Sequence, residues 1–131
     1  MKKFIFILPL ILFATSCQKS IEERAAQEAK EYTEKFCPTP VVNYAQTDSL
    51  VFDETTRTFT TYNTLVDKLD NQTVINTNKA EIEKVFLNSV RNSTELKIYK
   101  DAGFNFRFVG RSASNGKIIL YDYKFTPKQY Q

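Results

Sequence analysis

The chain has 131 residues, a formal net charge of +3 at pH 7 and no histidine, and its 14% aromatic residues stand against only 3 glycines. That length holds one domain, and that composition builds a core rather than a disordered tether. Histidine's absence removes the commonest general base and metal ligand, and the small charge, part of it from Lys2 and Lys3 at the very start, argues against a phosphate-binding stripe and hence against nucleic acid as a partner.

Residues 1–16 read as an export signal: Lys2 and Lys3, an apolar run from Phe4 to Phe13, then the small residues Ala14, Thr15 and Ser16. The run is about half of the roughly 20 residues that a spanning helix needs, and Pro9 interrupts it, so cleavage is expected. Ala14-Thr15-Ser16-Cys17 resembles a bacterial lipobox. The resemblance implies that Cys17 becomes the lipidated first residue of the mature chain, anchored in the outer membrane by acyl chains that each contribute about 0.8 kcal/mol per buried CH₂. Ala14 and Ser16 also satisfy the small-x-small pattern of ordinary secretory cleavage. In that case Cys17 and Cys37 are free to pair; with Cys17 acylated, Cys37 is the remaining thiol and is expected to be buried as a small hydrophobe.

Residues 17–24 are expected to be a tether and residues 25–131 a single α+β domain. The start of the tether, Gln18-Lys19-Ser20-Ile21-Glu22-Glu23, resembles the tracts that follow the cysteine in surface-exported lipoproteins of the Bacteroidota. Surface display and a periplasm-facing position both stay open. Ser20 also reads as a helix cap, with Glu22 and Glu23 complementing the dipole of the first turn.

From Ile21 to Phe36 the composition predicts a helix with a narrow apolar stripe of Ile21, Ala25, Ala29, Tyr32 and Phe36, ended by Pro38 and Pro40. The stripe is aromatic only at its far end, so the first turns are expected to act as a stalk and the last half to dock. Residues 47–66 alternate as strands do and are rich in threonine. A turn near Thr55 and Thr56 would set Phe52 opposite Phe59, with Leu50 and Leu65 on their side and Thr58, Thr60, Tyr62 and Thr64 on the other. Residues 67–76 read as a polar connection.

Residues 78–92 form the clearest helix, with Asn78 and Glu81 as a capping box and Ile82, Val85, Phe86, Ser89 and Val90 on the buried face. A short helix from Glu95 to Asp101, capped by Ser93 or Thr94, is closed by Gly103. Asn115-Gly116 predicts a two-residue hairpin turn, which opposes Ser114 to Lys117. Phe106 then pairs with Phe125, Phe108 with Tyr123 and Gly110 with Tyr121, so one face is aromatic. The other carries Arg107, Arg111, Asp122 and Lys124, with Val109 and Leu120 between them.

These elements predict a helix followed by β-β-α-β-β, a four-stranded antiparallel sheet with helices packed on one face. The segments TFTTYNTL, SVRNSTELKIYKDAG and FRFVGRSASNGKIILYDYKFTP together resemble a set of small Bacteroidota-type outer-membrane lipoproteins. That resemblance implies the fold and compartment and carries no functional residues with it.

Neither a metal cluster, a phosphate-cradling glycine loop nor a nucleotide fingerprint is written in the sequence, so no cofactor and no enzymatic activity are expected. Tyr62, Arg107, Arg111, Asp122 and Lys124 are the candidate binding face, suited to an acidic partner or else a solvated sheet surface with its charges compensated. Three functions fit: an envelope-component binding module, an immunity or inhibitor lipoprotein against a toxin or hydrolase, and an assembly chaperone resembling pilotins. Asp48-Ser49-Leu50 also resembles the short O-glycosylation motif of exported Bacteroidota proteins.

Overall fold

In the computed structural model, which describes residues 19–131, the Ser20 hydroxyl accepts the Glu23 amide proton at 3.1 Å and starts α1 (Ile21–Phe36). Cys17 lies outside the described residues. The helix docks from its first turn rather than only by its last half, although Thr33 still ties the far half to Leu50. Ala25 and Ala29 are 0% and 2% exposed against the sheet, whereas Tyr32 and Phe36 are 38% and 60% exposed. Alanines bring the helix backbone close to the sheet, so the narrow end packs and the bulky aromatic end overhangs it. Ile21 already packs on the core, which starts the domain before residue 25. Arg57 fastens this end: its Nη2 donates to the Ala102 carbonyl at 2.9 Å, its Nε lies 3.2 Å from the Glu22 carboxylate, and its guanidinium covers the Phe104 ring at 4.7 Å.

The sheet has four strands in the order β1 (Ala45–Asp53), β2 (Thr58–Leu65), β3 (Asn105–Ser112), β4 (Ile119–Phe125). Both hairpins are antiparallel and keep the expected pairs: Phe52 opposite Phe59, Phe106 opposite Phe125, Phe108 opposite Tyr123 and Gly110 opposite Tyr121. The central pair, β2 with β3, is parallel, not antiparallel. The segment between those strands contains a helix that runs back across the sheet, so the chain re-enters in its original direction, as every βαβ crossover must.

That crossover holds more helix than the sequence reading allowed. After a 3₁₀ turn (Asp67–Leu69), the supposed polar connection forms α2 (Gln72–Thr77), capped by Asn71 through the Val74 amide at 3.1 Å and anchored by Ile75 at 2% exposure. It leads into α3 (Lys79–Asn92), where Asn78 makes no capping box; its side-chain amide donates to the Val74 carbonyl at 2.8 Å and ends α2 instead. Ile82, Phe86 and Val90 face the sheet as expected, but Val85 is 64% exposed and Leu87 packs in its place. The short α4 (Lys97–Asp101) closes on Gly103 at φ 80°, with Gly103 N–H bonded to the Lys100 carbonyl and Phe104 N–H to the Tyr99 carbonyl, a Schellman ending that requires glycine. A last turn of helix, α5 (Pro127–Tyr130), tucks Tyr130 against Phe106.

At the β3–β4 tip the loop is wider than two residues. The Ser112 amide bonds the Ile118 carbonyl, Ile118 N–H returns to the Asn115 carbonyl, and the Ser114 amide donates to the Asp70 carboxylate at 3.0 Å. A bulge shifts the register between Gly110 and Arg111. It turns Leu120 into the core beside Leu65 and Ile75 and leaves Ile119 outside, the reverse of the expected placement of Leu120.

Candidate functional site, an apolar groove and an open sheet face

The helices of the described residues pack on one face of the sheet, and α1 and α3 leave a gap between them there. α1 covers β1 while α3 covers β3 and β4, and a cleft of about 350 Å³ opens between them. Its floor is Leu50, Phe59, Thr61, Phe106 and Phe108, and its walls are Tyr32 of α1 with Ser89 and Val90 of α3 and Ser93 at the C-cap of α3. The gap follows from residue size. Where α3 could have closed on α1 it presents serines, and where α1 could have reached across it presents Glu28, whose Oε2 accepts from the buried Tyr99 hydroxyl at 2.5 Å. Burial and the Glu28 carboxylate push the Tyr99 phenol well above its usual value, so it stays a donor at any physiological pH. The rim carries Glu95 and Glu28, the latter paired with Arg24 at 3.1 Å, beside an apolar floor that Arg107 also lines. Such a concave apolar surface suits the side chains of a partner rather than water. Ser89 and Ser93 on an otherwise apolar helix face were the legible sign of it, and the sequence reading absorbed Ser89 into the core.

On the opposite face no helix among the described residues covers the sheet. The predicted residues Tyr62, Arg107, Arg111, Asp122 and Lys124 are all brought onto it, together with Thr58, Thr60 and Thr64. Arg107 and Asp122 form a bidentate pair, Nε to Oδ1 at 2.8 Å and Nη2 to Oδ2 at 2.6 Å, on the diagonal anticipated from register. The pair raises the Arg107 pKa and holds the Asp122 carboxyl below its ordinary value. Arg111 and Lys124 have no ion-pair partner among the described residues, and the Arg111 Nε is buried without an acceptor there. This face is a shallow polar surface on which Asp48, Asp53 and Asp122 balance Arg107, Arg111 and Lys124. It lacks the apolar depth of the cleft.

Cys37 is half-buried, and its thiol is pushed up by burial first and by Asp48 second, which leaves it a poor nucleophile. Among the described residues no group of three or more His, Cys, Asp or Glu side chains is placed to hold a metal ion, and no helix is long and apolar enough to cross a membrane.

The fold has known counterparts. A Pseudomonas aeruginosa protein inferred to be secreted superposes with a TM-score of 0.72 at 9% identity, covering 87% of this chain and 100% of its own. The type II secretion pilotin EpsS of Vibrio vulnificus follows at 0.63 and 11% identity, covering 84% of this chain and 91% of its own. The pilotin AspS of Vibrio cholerae gives 0.58 and 14% identity, with 82% and 90% covered. At these identities the likeness is one of fold alone. No curated protein matches by sequence. The chain belongs to the family described as a domain of unknown function, DUF8479, which it matches over residues 20–121.

Proposed function

We propose that this protein is a lipid-anchored, non-enzymatic binding module of the bacterial outer membrane that holds a segment of an envelope protein in the cleft between α1 and α3, in the manner of an assembly chaperone. The observation that carries the reading is the cleft itself: an apolar floor on which Leu50 and Phe108 are partly exposed over buried Phe59, with Glu95 at the rim. A segment that places apolar side chains on that floor and a basic one against Glu95 satisfies both features. An amphipathic helix laid between α1 and α3 presents such a surface at i, i+3, i+4 and i+7 spacing. The fold shared with two pilotins supports a carrier role, and the lipobox-like sequence ending in Cys17 supports the anchor.

The test is photo-crosslinking in intact cells, with a photoreactive residue in place of Ser93 on the cleft wall. A discrete adduct with an envelope protein is expected, and Ser89→Trp, which fills the cleft from an exposed position, should abolish it while leaving the fold intact. Arg111→Ala with Lys124→Ala on the far face should leave it unchanged. If the adduct survives Ser89→Trp and disappears with the far-face pair, the binding surface is the open sheet and the cleft reading fails. Cys17→Ala should release the protein from the membrane fraction; a variant that stays bound removes the anchor from the proposal.

A further inference from the structure

The two edges of the sheet are treated differently, and the difference has a direct reading in backbone hydrogen bonds. On β1, each outward-facing residue up to Leu50 is sealed within the chain. Ala45 exchanges both its bonds with Val42 at 3.1 and 2.9 Å. Thr47 donates to the Thr39 hydroxyl at 2.9 Å and accepts from the Thr39 amide at 3.0 Å. The Thr33 hydroxyl takes both the N–H and the C=O of Leu50, each at 2.9 Å. Unsealed edges template further strands, and side-chain plugs of this kind are how a fold prevents it.

β4 is not sealed in this way. At the two ends of β3, the Asn105 amide bonds the carbonyl of Arg57, just before β2, and the Ala113 amide that of Leu65, while the Ser112 amide bonds Ile118, so the odd-numbered residues of β3 face β2 and the even-numbered ones face β4. Tyr121, Tyr123 and Phe125 therefore pair with β3, opposite Gly110, Phe108 and Phe106. The intervening residues point their backbone groups the other way. Leu120 confirms the alternation, since its carbonyl accepts from Gln72 Nε2 at 3.1 Å. Asp122 and Lys124 are left with N–H and C=O directed at the open edge and no bond to them from the described residues. Along that edge runs a groove of about 440 Å³, walled by Ile75 and Asn76 of α2, Lys79 and Glu83 of α3, and Gln129 of α5.

We infer that this groove takes an extended segment of a partner protein as a fifth strand, antiparallel to β4. Its alternate residues are apolar opposite Tyr121, Tyr123 and Phe125, and it places an acid opposite Lys124. The walls determine the occupant. A strand fits between them, but a second copy of this sheet would bring its own α2, α3 and α5 into the same space. Side chains opposite the tyrosines turn toward the helices and lie between α2 and α3, against Asn76, Lys79 and Glu83. Those opposite Asp122 and Lys124 turn to the open face, where Asp122 is already neutralised by Arg107 and Lys124 is not. An acid at that point gains a cross-strand partner. The inference uses the opposite end of α3 from the cleft and does not depend on what the cleft binds.

The probe is acetyl-Val-Glu-Val-Thr-Val-amide, added to the full chain in detergent micelles, with a control N-methylated at Glu and Thr, the residues that would bond Lys124 and Asp122. Binding of the first peptide should slow hydrogen exchange at the amides of Asp122 and Lys124, and the control should bind at least about tenfold more weakly, the equivalent of one lost hydrogen bond. Lys124→Pro deletes both the edge-directed N–H and the ammonium that faces the acid, and should abolish protection at Asp122 while β3–β4 pairing persists; should that variant unfold, the N-methylated control on the native sequence decides. Equal binding of both peptides, or no slowing at either amide, overturns the inference. Slowing that appears without peptide and rises with protein concentration would mean that a second copy occupies the edge, and would overturn it equally.

Discussion

Replacing Gly110 with alanine tests the packing of the aromatic sheet face at its tightest point. A Cβ at this position would lie 2.4 Å from Tyr121 Cε2, 2.5 Å from Cζ and 2.9 Å from Cδ2. Carbon atoms in contact rest near 3.5–4.0 Å, so the ring must move by about 1 Å or more. It has little room to do so. Tyr121 stacks on Tyr123 at 5.2 Å, leans on Phe86 at 5.4 Å, and its hydroxyl accepts from the buried Asn63 side chain at 3.0 Å. Overpacking of a filled core costs roughly 1–3 kcal/mol, and straining the Asn63 bond adds about 1 kcal/mol, giving a loss of about 3 kcal/mol. For a domain of this size that lowers the melting temperature by on the order of 10 °C. Urea titration should show a lower midpoint at an unchanged slope. Tyr121→Ala removes the obstruction and costs about 3–5 kcal/mol by itself, and in that background Gly110→Ala should be close to neutral. A loss below about 0.5 kcal/mol in the native background, or an equal loss in both, would refute the steric account.

Burial pushes the Tyr121 phenol up to about 12, against about 10 in an unfolded chain. The unfolded state therefore releases its proton first, so the stability held by the neutral phenol is intact below pH 10 and declines as pH rises toward 12, by up to about 3 kcal/mol. Tyr121→Phe should flatten that part of the urea midpoint against pH, and an unchanged steepness would assign it elsewhere. Thr33→Val keeps the shape of α1 but strips Leu50 of both backbone partners; a loss of about 1–3 kcal/mol and faster amide exchange at Leu50 are expected. The Asp70 carboxyl is held below its ordinary value by the Ser112 and Ser114 hydroxyls and the Ser114 amide. Its stabilising effect is present above the ordinary carboxylate range and lost as pH falls through the lowered value, and Ser112→Ala should move its NMR titration upward.

The hairpin registers were legible because side-chain alternation has a period of two, so one slip would have thrown Phe106 and Tyr123 into water. Asn115-Gly116 located the second turn but not its size, because Asp70, distant in sequence, holds Ser114 in a wider loop. The parallel sense of β2 and β3 is a property of the whole crossover, and no local pattern in either strand announces it. α1 misled for an energetic reason. Burial area favours Tyr32 and Phe36, yet close approach of the helix to the sheet favours Ala25 and Ala29, and here proximity won. The candidate binding face was legible since Arg107, Arg111, Asp122, Lys124 and Tyr62 follow strand parity. The cleft was not, since it arises from what two helices distant in sequence fail to fill.

The early docking of α1 matters for the proposed anchoring. With the helix docked from its first turn, Ile21 follows Cys17 by four residues, so the domain would sit within about 14 Å of the acylated residue, even on a fully extended chain. Arg57 with Glu22 and the Ala102 carbonyl then lie at the bilayer-facing end, and Tyr32 on the cleft wall stands three turns further along α1, roughly 16 Å above Ile21. A partner segment held in the cleft would therefore be kept beside the membrane surface. Inserting a Gly-Ser stretch of about 20 residues after Gln18 separates anchoring from this positioning, because such a linker wanders over roughly 25 Å while leaving the acylated end untouched. The lengthened protein should remain in the membrane fraction and keep its urea midpoint. Its adduct from the position of Ser93 should persist, whereas delivery of the partner to the outer membrane, read by fractionation, should fall. Undiminished delivery would mean that the short link serves attachment only, and that the early docking of α1 is a matter of stability rather than of reach.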